Sequence, residues 1–487
     1  MLAIAVISLA IGEGPAPPPA RAASAHRAID PELGIFNIDH LIFIVQENRS
    51  FDHFFGTFPG ADGIPRKANG TFDVCVKDPE ANGVCRRPYH DTNHYDEGGP
   101  HNVKASRITV AQGRMDGQIR ALVQIGNACR FNPTRSGCEE ATPGPGGTPD
   151  VMGYHTAAEL PNYWAYARTY TLQDHMFAPS DSWTLPSHLF LVSAWSARCP
   201  DLNDPMSCRS DLKLPGRNAA DGDRKYWIPA DGKPRPYLWA DITWLLHNAG
   251  VDWGYYVGDD TCIKPPCPKL SETEDNVTNP ILNPLPGFKT VEVTKQFGRV
   301  SPHSEFFERA EAGTLPAVSW VVPAFGNSEH PPDSLANGQA WVTSLVNAVM
   351  QGPSEQWLHT AIFVTWDDWG GFYDHVPPIR IDPNGYGIRV PAFMISPWSR
   401  RGAIDSSLLS FDAYLKLIED RFLGGARLDP ATDGWPDPRP TVREDIGILG
   451  DLRDEFDFSQ LPIPPLILPE LPGGAVLQAD PHKWVGG

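Results

Sequence analysis

The chain has 487 residues, of which 41% are hydrophobic and 20% charged, with 50 prolines, 44 glycines and a formal charge of −19. This composition describes a globular protein able to bury a large core, not a disordered chain. The acidic balance excludes a broad nucleic-acid surface and tight, purely electrostatic docking to an anionic membrane.

Residues 2–11 form an apolar run too short to span a bilayer, and small residues follow at 20–25. An export segment is therefore expected over residues 1–25, although it lacks a positively charged start. No later stretch is long and apolar enough to predict a transmembrane helix. The first strong strand is predicted at 39–46, a continuous apolar run that stops at Glu47-Asn48-Arg49-Ser50. Residues 56–150 and 199–300 are rich in turn residues and weak in periodicity, and read as insertions roofing a sheet. Between them lies Ser182-Trp183-Thr184-Leu185-Pro186-Ser187-His188, running into an apolar stretch. A second strand, at 318–323, leads to Gly326-Asn327-Ser328-Glu329-His330. Apolar residues at helical spacing predict a helix over 337–351. A third strand, 361–366, ends in Asp367-Asp368, and a fourth, 390–396, leads into Pro397-Trp398. A second helix is predicted over 411–422, and from residue 461 a Pro-rich extended tail follows.

Alternating strands and helices imply an α/β protein with a mostly parallel, doubly wound sheet flanked by helices. Ligands bind beyond the carboxyl ends of such strands, and three of the four strands end in acids, amides or histidines. The expected division is a catalytic domain over 34–459 and a tail over 460–487.

The eight cysteines fall into neighbouring pairs, 75 with 85, 129 with 138, 199 with 208, and 262 with 267. Short disulfides pinning the insertions are expected, which fits an oxidising compartment. Zinc is the rival reading; only Cys262 and Cys267 have knuckle spacing, and no second half lies nearby.

Adjacent carboxylates at two strand ends repel unless a cation or proton neutralises them. Glu47, Asn48, Asp367 and Asp368 together would make a hard, oxygen-rich site suited to Ca²⁺ first, or to Mg²⁺ or Mn²⁺. Acids that merely cap helices are the alternative. Thr184, on a turn before a helix, would sit on such a metal or serve as an ordinary N-cap. His330 and His375 stand near strand ends and Gly-rich turns, where they would stabilise a phosphoryl group and protonate a leaving alkoxide.

The block Glu47-Asn48-Arg49-Ser50-Phe51-Asp52-His53-Phe54-Phe55-Gly56 resembles the signature of the bacterial phospholipase C and acid phosphatase phosphoesterase family. That family includes the plant non-specific phospholipases C and belongs to the alkaline-phosphatase-like superfamily. Pro100-His101, Gly113-Arg114-Met115-Asp116-Gly117, Met152-Gly153-Tyr154-His155, Glu329-His330-Pro331 and Thr365-Trp366-Asp367-Asp368-Trp369-Gly370-Gly371 match further blocks in order. The resemblance runs from about residue 37 to 459. It implies an alkaline-phosphatase-like fold, with Glu47, Asn48, Asp367, Asp368 and Thr184 binding a divalent metal. It further implies that Thr184 is the nucleophile and that His101, His330 and His375 surround the phosphoryl group. Two departures stand out. Ser187-His188 replaces an Asn followed by Arg or Lys, and Asp368 stands where many members have Glu.

A threonine nucleophile leans toward the phospholipase C branch. The expected substrate is a phospholipid, with phosphomonoesters as the alternative, and transient membrane contact but no nucleic-acid or stable protein partner. The C-terminal β-domains of larger haemolytic relatives are expected to be absent. Trp183, Trp366, Trp369, Phe372 and Tyr373 would line a choline-like subsite or simply fill the core. A non-catalytic exported binding protein on the same fold would lack a ligand or the nucleophile. A serine hydrolase would need a Gly-x-Ser-x-Gly elbow, which is missing.

Overall fold

The computed structural model describes residues 28–213, 237–258, 281–440 and 442–471. The expected export segment and the Cys262–Cys267 pair lie outside these residues, as does the tail beyond 471. Within them, an 8-stranded sheet runs through the molecule. Its order is Val300–Pro302, Trp253–Val257, Val318–Val322, His40–Gln46, Thr360–Trp366, Ala392–Ile395, Thr171–Gln173, Ile404–Asp405.

All strands except Ala392–Ile395 run in one direction. The mostly parallel α/β sheet expected from the sequence is thus present. The central strands are buried on both faces, which is why they read as unbroken apolar runs.

Two expectations need correction. The 390–396 strand is antiparallel to its neighbour, with Ala392 opposite Thr365. The chain leaving Trp366 turns over the carboxyl edge of the parallel strands without a crossover helix, so it re-enters the sheet from that edge. The beginning of this strand, with Arg389, therefore faces the site, and its end does not. Nor is 199–300 only a roof. Trp253–Val257 and Val300–Pro302 extend the sheet itself. Trp-Gly-Tyr-Tyr-Val, bounded by Gly250 and Gly258, carried that strand signal.

Helices cover both faces. Phe43 packs on Phe363 and on Tyr414 of the Phe411–Phe422 helix, with ring centroids 5.4 and 4.9 Å apart. Side chains alternate along a strand, so Trp366 points to the other face. There it meets Tyr163 of the Pro161–Thr169 helix at 5.3 Å. The helix expected at 337–351 spans Leu335–Gln351.

Disulfides join Cys75 to Cys85, Cys129 to Cys138, and Cys199 to Cys208. The 56–150 insertion builds a small core of its own from Ile64, Phe72, Val76, Ile119 and Leu122. Tyr373, on the loop after Asp368, belongs to that core, so the insertion is packed onto the carboxyl edge of the sheet. No described helix is long and apolar enough to cross a membrane.

Phe43 lies fully buried at the centre of the sheet. Truncating it to alanine removes its ring contacts and leaves a cavity. Phe43→Ala should cost about 3–5 kcal/mol in denaturant unfolding, with the slope unchanged.

Candidate active site

The site begins with strand register. Gln46 pairs with Trp366, the last residues of two adjacent parallel strands. One step further, Glu47-Asn48 and Asp367-Asp368 must lie side by side. The Asp367 amide donates to the Gln46 carbonyl at 3.0 Å and extends the ladder by one bond.

Asn48 adopts a left-handed conformation, φ 63°, which asparagine tolerates better than most residues. Its amide N–H donates to Asp367 Oδ1 at 3.0 Å, and its Nδ2 to Asp368 Oδ1 at 2.9 Å. The Gly370 amide donates to the same Asp368 oxygen at 2.8 Å. Gly370 has φ +60°, and a Cβ there would sit 2.2 Å from the Asn48 carbonyl oxygen, so only glycine fits.

The second wall is the helix Thr184–Ser193, in which every residue is buried. Thr184 is its first residue rather than its cap. Trp183 occupies the cap position and makes no side-chain bond to the first-turn amides. The Thr184 hydroxyl instead donates to Glu47 Oε2 at 3.2 Å. The ordinary N-cap reading of Thr184 is therefore set aside. His188, four residues on and so on the same helix face, places Nε2 3.7 Å from Glu47 Oε1. In the sequence His188 stands out only as a departure from the family pattern; its four-residue spacing from Thr184 is the signal for its place here.

Glu47, Asn48, Asp367 and Asp368 are all at most 1% exposed. Glu47 Oε1, Asn48 Oδ1, Asp367 Oδ2, Asp368 Oδ2 and His188 Nε2 are buried with no hydrogen-bond partner in the protein. Burial pushes the Glu47 carboxyl up to about 8, against the opposing Thr184 bond. Burial and the Glu47 charge push Asp367 to about 8, and burial with the Asp367 charge holds Asp368 well above the usual range. Orphaned oxygens of like charge, converging in a dry pocket, have the donor chemistry of a divalent-cation site. The residues present fit such an ion.

His101 and His330 come together, with ring centroids 5.5 Å apart. His101 Nδ1 donates to the Gly99 carbonyl at 3.0 Å and His330 Nδ1 to the Pro331 carbonyl at 2.7 Å, which leaves Nε2 as the lone-pair nitrogen of each neutral ring. Burial lowers His101; burial and the neighbouring His101 lower His330 to about 3. The Gly99 amide donates to the Gly370 carbonyl at 2.8 Å, tying the His101 segment to the Asp368 loop.

His375 is engaged elsewhere. Its Nδ1 bonds Asp52 at 2.8 Å and its Nε2 contacts Asp62 at 3.2 Å. Arg389, fully buried, bonds Asp374 at 3.0 Å and Asp52 at 3.3 Å beside it. Burial opposes a charged His375 ring, but Asp52 and then Asp374 outweigh it and raise the ring to about 9.

A second network was not anticipated. Arg49 reaches Asp96 at 3.1 Å, and the Nε2 atoms of His53 and His155 each lie 3.6 Å from the same Asp96 oxygen. The Arg49 guanidinium also sits 4.7 Å from the Phe372 ring centroid. Arg49 thus ties the segment after Asn48 to the one that leads to His101.

Comparison with known proteins places these residues in context. Residues 38–423 match the Phosphoesterase family. A non-hemolytic phospholipase C of Pseudomonas aeruginosa is 25% identical over 91% of this chain and 60% of its own length. Phospholipase C A of Mycobacterium tuberculosis is 26% identical over 94% of this chain and 81% of its own. The chain thus spans about three fifths of the Pseudomonas relative. Among solved structures, a phosphonate monoester hydrolase of Agrobacterium radiobacter aligns with a TM-score of 0.27 and 12% identity, over 58% of this chain and 75% of that one. That likeness is too distant to bear on fold or function.

A histidine raised in the fold stabilises it below the unfolded value near 6.5 and loses that contribution as pH rises through the folded value near 9. Asp374, raised to about 6, acts in the same sense but in a lower window, about 4–6. Thermal stability should therefore fall between pH 6.5 and 9. His375→Gln should flatten that limb in melting curves taken across the range.

Proposed function

We propose that this chain, which belongs to the Phosphoesterase family, hydrolyses phosphoric esters as an exported, metal-dependent phospholipase C. The observation that carries this reading is the Thr184 hydroxyl on Glu47, at the head of a buried helix, beside three further orphaned ligand groups. The names of the similar proteins support a phospholipid as the ester, and the disulfides fit export.

In this reading Glu47, Asn48, Asp367 and Asp368, with the Thr184 oxygen, hold a divalent cation. Such an ion supplies charge for the phosphoryl oxygens and acidifies the nucleophile's hydroxyl. Thr184 Oγ1 attacks phosphorus, and its proton passes to Glu47 Oε2, the oxygen it already faces. The Thr184 and Leu185 amides at the start of the Thr184–Ser193 helix receive phosphoryl oxygens; Pro186, next in the turn, has no N–H to give. The bond from phosphorus to the glycerol oxygen breaks, leaving the head-group phosphate esterified to Thr184. His101 and His330 are neutral as they stand; the arriving phosphate anion favours their protonated forms, and one of them gives its proton to the departing diglyceride alkoxide. Water then attacks the phosphothreonine phosphorus and gives a proton to the histidine that lost one; the bond from phosphorus to Thr184 Oγ1 breaks, Oγ1 recovers its proton from Glu47 Oε2, and the phosphorylated head group leaves. We assign His375 to holding the Asp52 and Asp62 segments in place instead of to this exchange.

The purified protein should release diglyceride from phosphatidylcholine and lose that activity on chelation. Thr184→Ala should lower turnover at least about 10³-fold, with Thr184→Ser retaining more. Phosphate release from a monoester with no diglyceride from phosphatidylcholine would replace the phospholipase reading by a phosphomonoesterase. Turnover by Thr184→Ala equal to wild type would refute the nucleophile.

A further inference from the structure

The oxygen-donor set described above leaves one neighbour unexplained. His188 is fully buried, and its Nε2 has no hydrogen-bond partner within the protein. We propose that His188 Nε2 is a further ligand of the cation, and that the site consequently prefers Zn²⁺ or Fe²⁺ to Ca²⁺ or Mg²⁺. This rests on the metal reading of the site proposed above.

Three features of geometry point this way. First, donor atoms of Glu47, His188 and Asp367 all lie within 4.8 Å of one another. Second, the 3.7 Å between His188 Nε2 and Glu47 Oε1 is too long for a hydrogen bond but close to the separation of two ligands on one ion. Donors about 2.0–2.2 Å from a shared ion lie roughly 3.0–3.5 Å apart.

Third, the far side of the ring is fixed. His188 Nδ1 contacts Tyr255 Oη at 3.3 Å. The Tyr255 hydroxyl spends its own proton on the Leu282 carbonyl at 2.6 Å, so its oxygen accepts from Nδ1–H. The neutral ring then carries its lone pair on Nε2, facing Glu47. A hydrogen bond on one ring nitrogen that orients the other toward a metal is the usual outer support of a histidine ligand. The consequence for ion choice is chemical. Oxygen donors alone favour Ca²⁺ or Mg²⁺, whereas an imidazole nitrogen favours later first-row ions and zinc.

The test is to load the full-length protein with Mn²⁺ alone and record pulsed electron paramagnetic resonance spectra. Wild type should show ¹⁴N coupling to the bound ion, and His188→Gln should bind Mn²⁺ without it, while His101→Gln retains it. In competition titrations, His188→Gln should lower the preference for Zn²⁺ over Ca²⁺ by about 10-fold or more. Mn²⁺ binding without nitrogen coupling in wild type would overturn His188 ligation and leave the oxygen-donor site standing. Coupling that survives in His188→Gln but vanishes in His101→Gln would overturn it equally. Absence of any Mn²⁺ or Zn²⁺ binding to wild type would overturn both. If His188→Gln fails to fold, absence of coupling in wild type still overturns the ligation, and coupling that persists in both His101→Gln and His330→Gln supports it.

Discussion

Two parallel strands stop at the same level, and each then continues with two polar residues. The pairing of Gln46 with Trp366 brings Glu47, Asn48, Asp367 and Asp368 into one buried space. Shifting either strand by one residue would turn its polar pair toward opposite faces and bury the wrong side chains, so the register is strongly specified. The price of that specification is electrostatic: three carboxyl groups converge where water cannot solvate them. Everything around the site answers that cost. The Asn48 amides and the Gly370 amide satisfy one oxygen of each aspartate, and Thr184 satisfies one oxygen of Glu47. The remaining oxygens converge without partners, which is the arrangement a dication completes.

Holding the polar loops against that repulsion requires rigid neighbours, and two ion networks provide them, one fully buried and one that reaches the surface at Asp62. Arg49 and Asp96, with His53 and His155, join the segment after Asn48 to the one before His101. Arg389 and His375, with Asp52, Asp62 and Asp374, join the end of the loop after Asp368 to the segment after Ser50. Glu329 is clamped between the Tyr163 hydroxyl and the Trp366 indole, at 2.6 and 2.8 Å. His330, the next residue, is thereby placed beside His101. Most charged groups near the centre therefore hold one another, and the segments that carry them, in place.

Much of this was legible in the chain. Apolar runs at 39–46, 318–323 and 361–366 announced buried parallel strands, because a strand covered on both faces has no polar alternation. The helices at 337–351 and 411–422 showed their spacing directly. Harder to read were the short edge strands, where few residues carry any pattern, and the direction of Ala392–Ile395. Direction depends on the path of the preceding loop, and a strand reads the same whichever way it lies in a sheet.

The sequence by itself determined the polar pairs at the strand ends and Thr184 before an apolar stretch, and its cysteine spacing led to the expectation of the pairs Cys75–Cys85, Cys129–Cys138 and Cys199–Cys208 that the structure joins. These follow from local composition and short spacing. Only the tertiary structure set His101 beside His330 and His375 against Asp52 and Asp62, gave Arg49 and Asp96 to each other, and turned His188 toward Glu47. A histidine's part is set by what faces its two ring nitrogens, and those neighbours arrive from segments tens to hundreds of residues away.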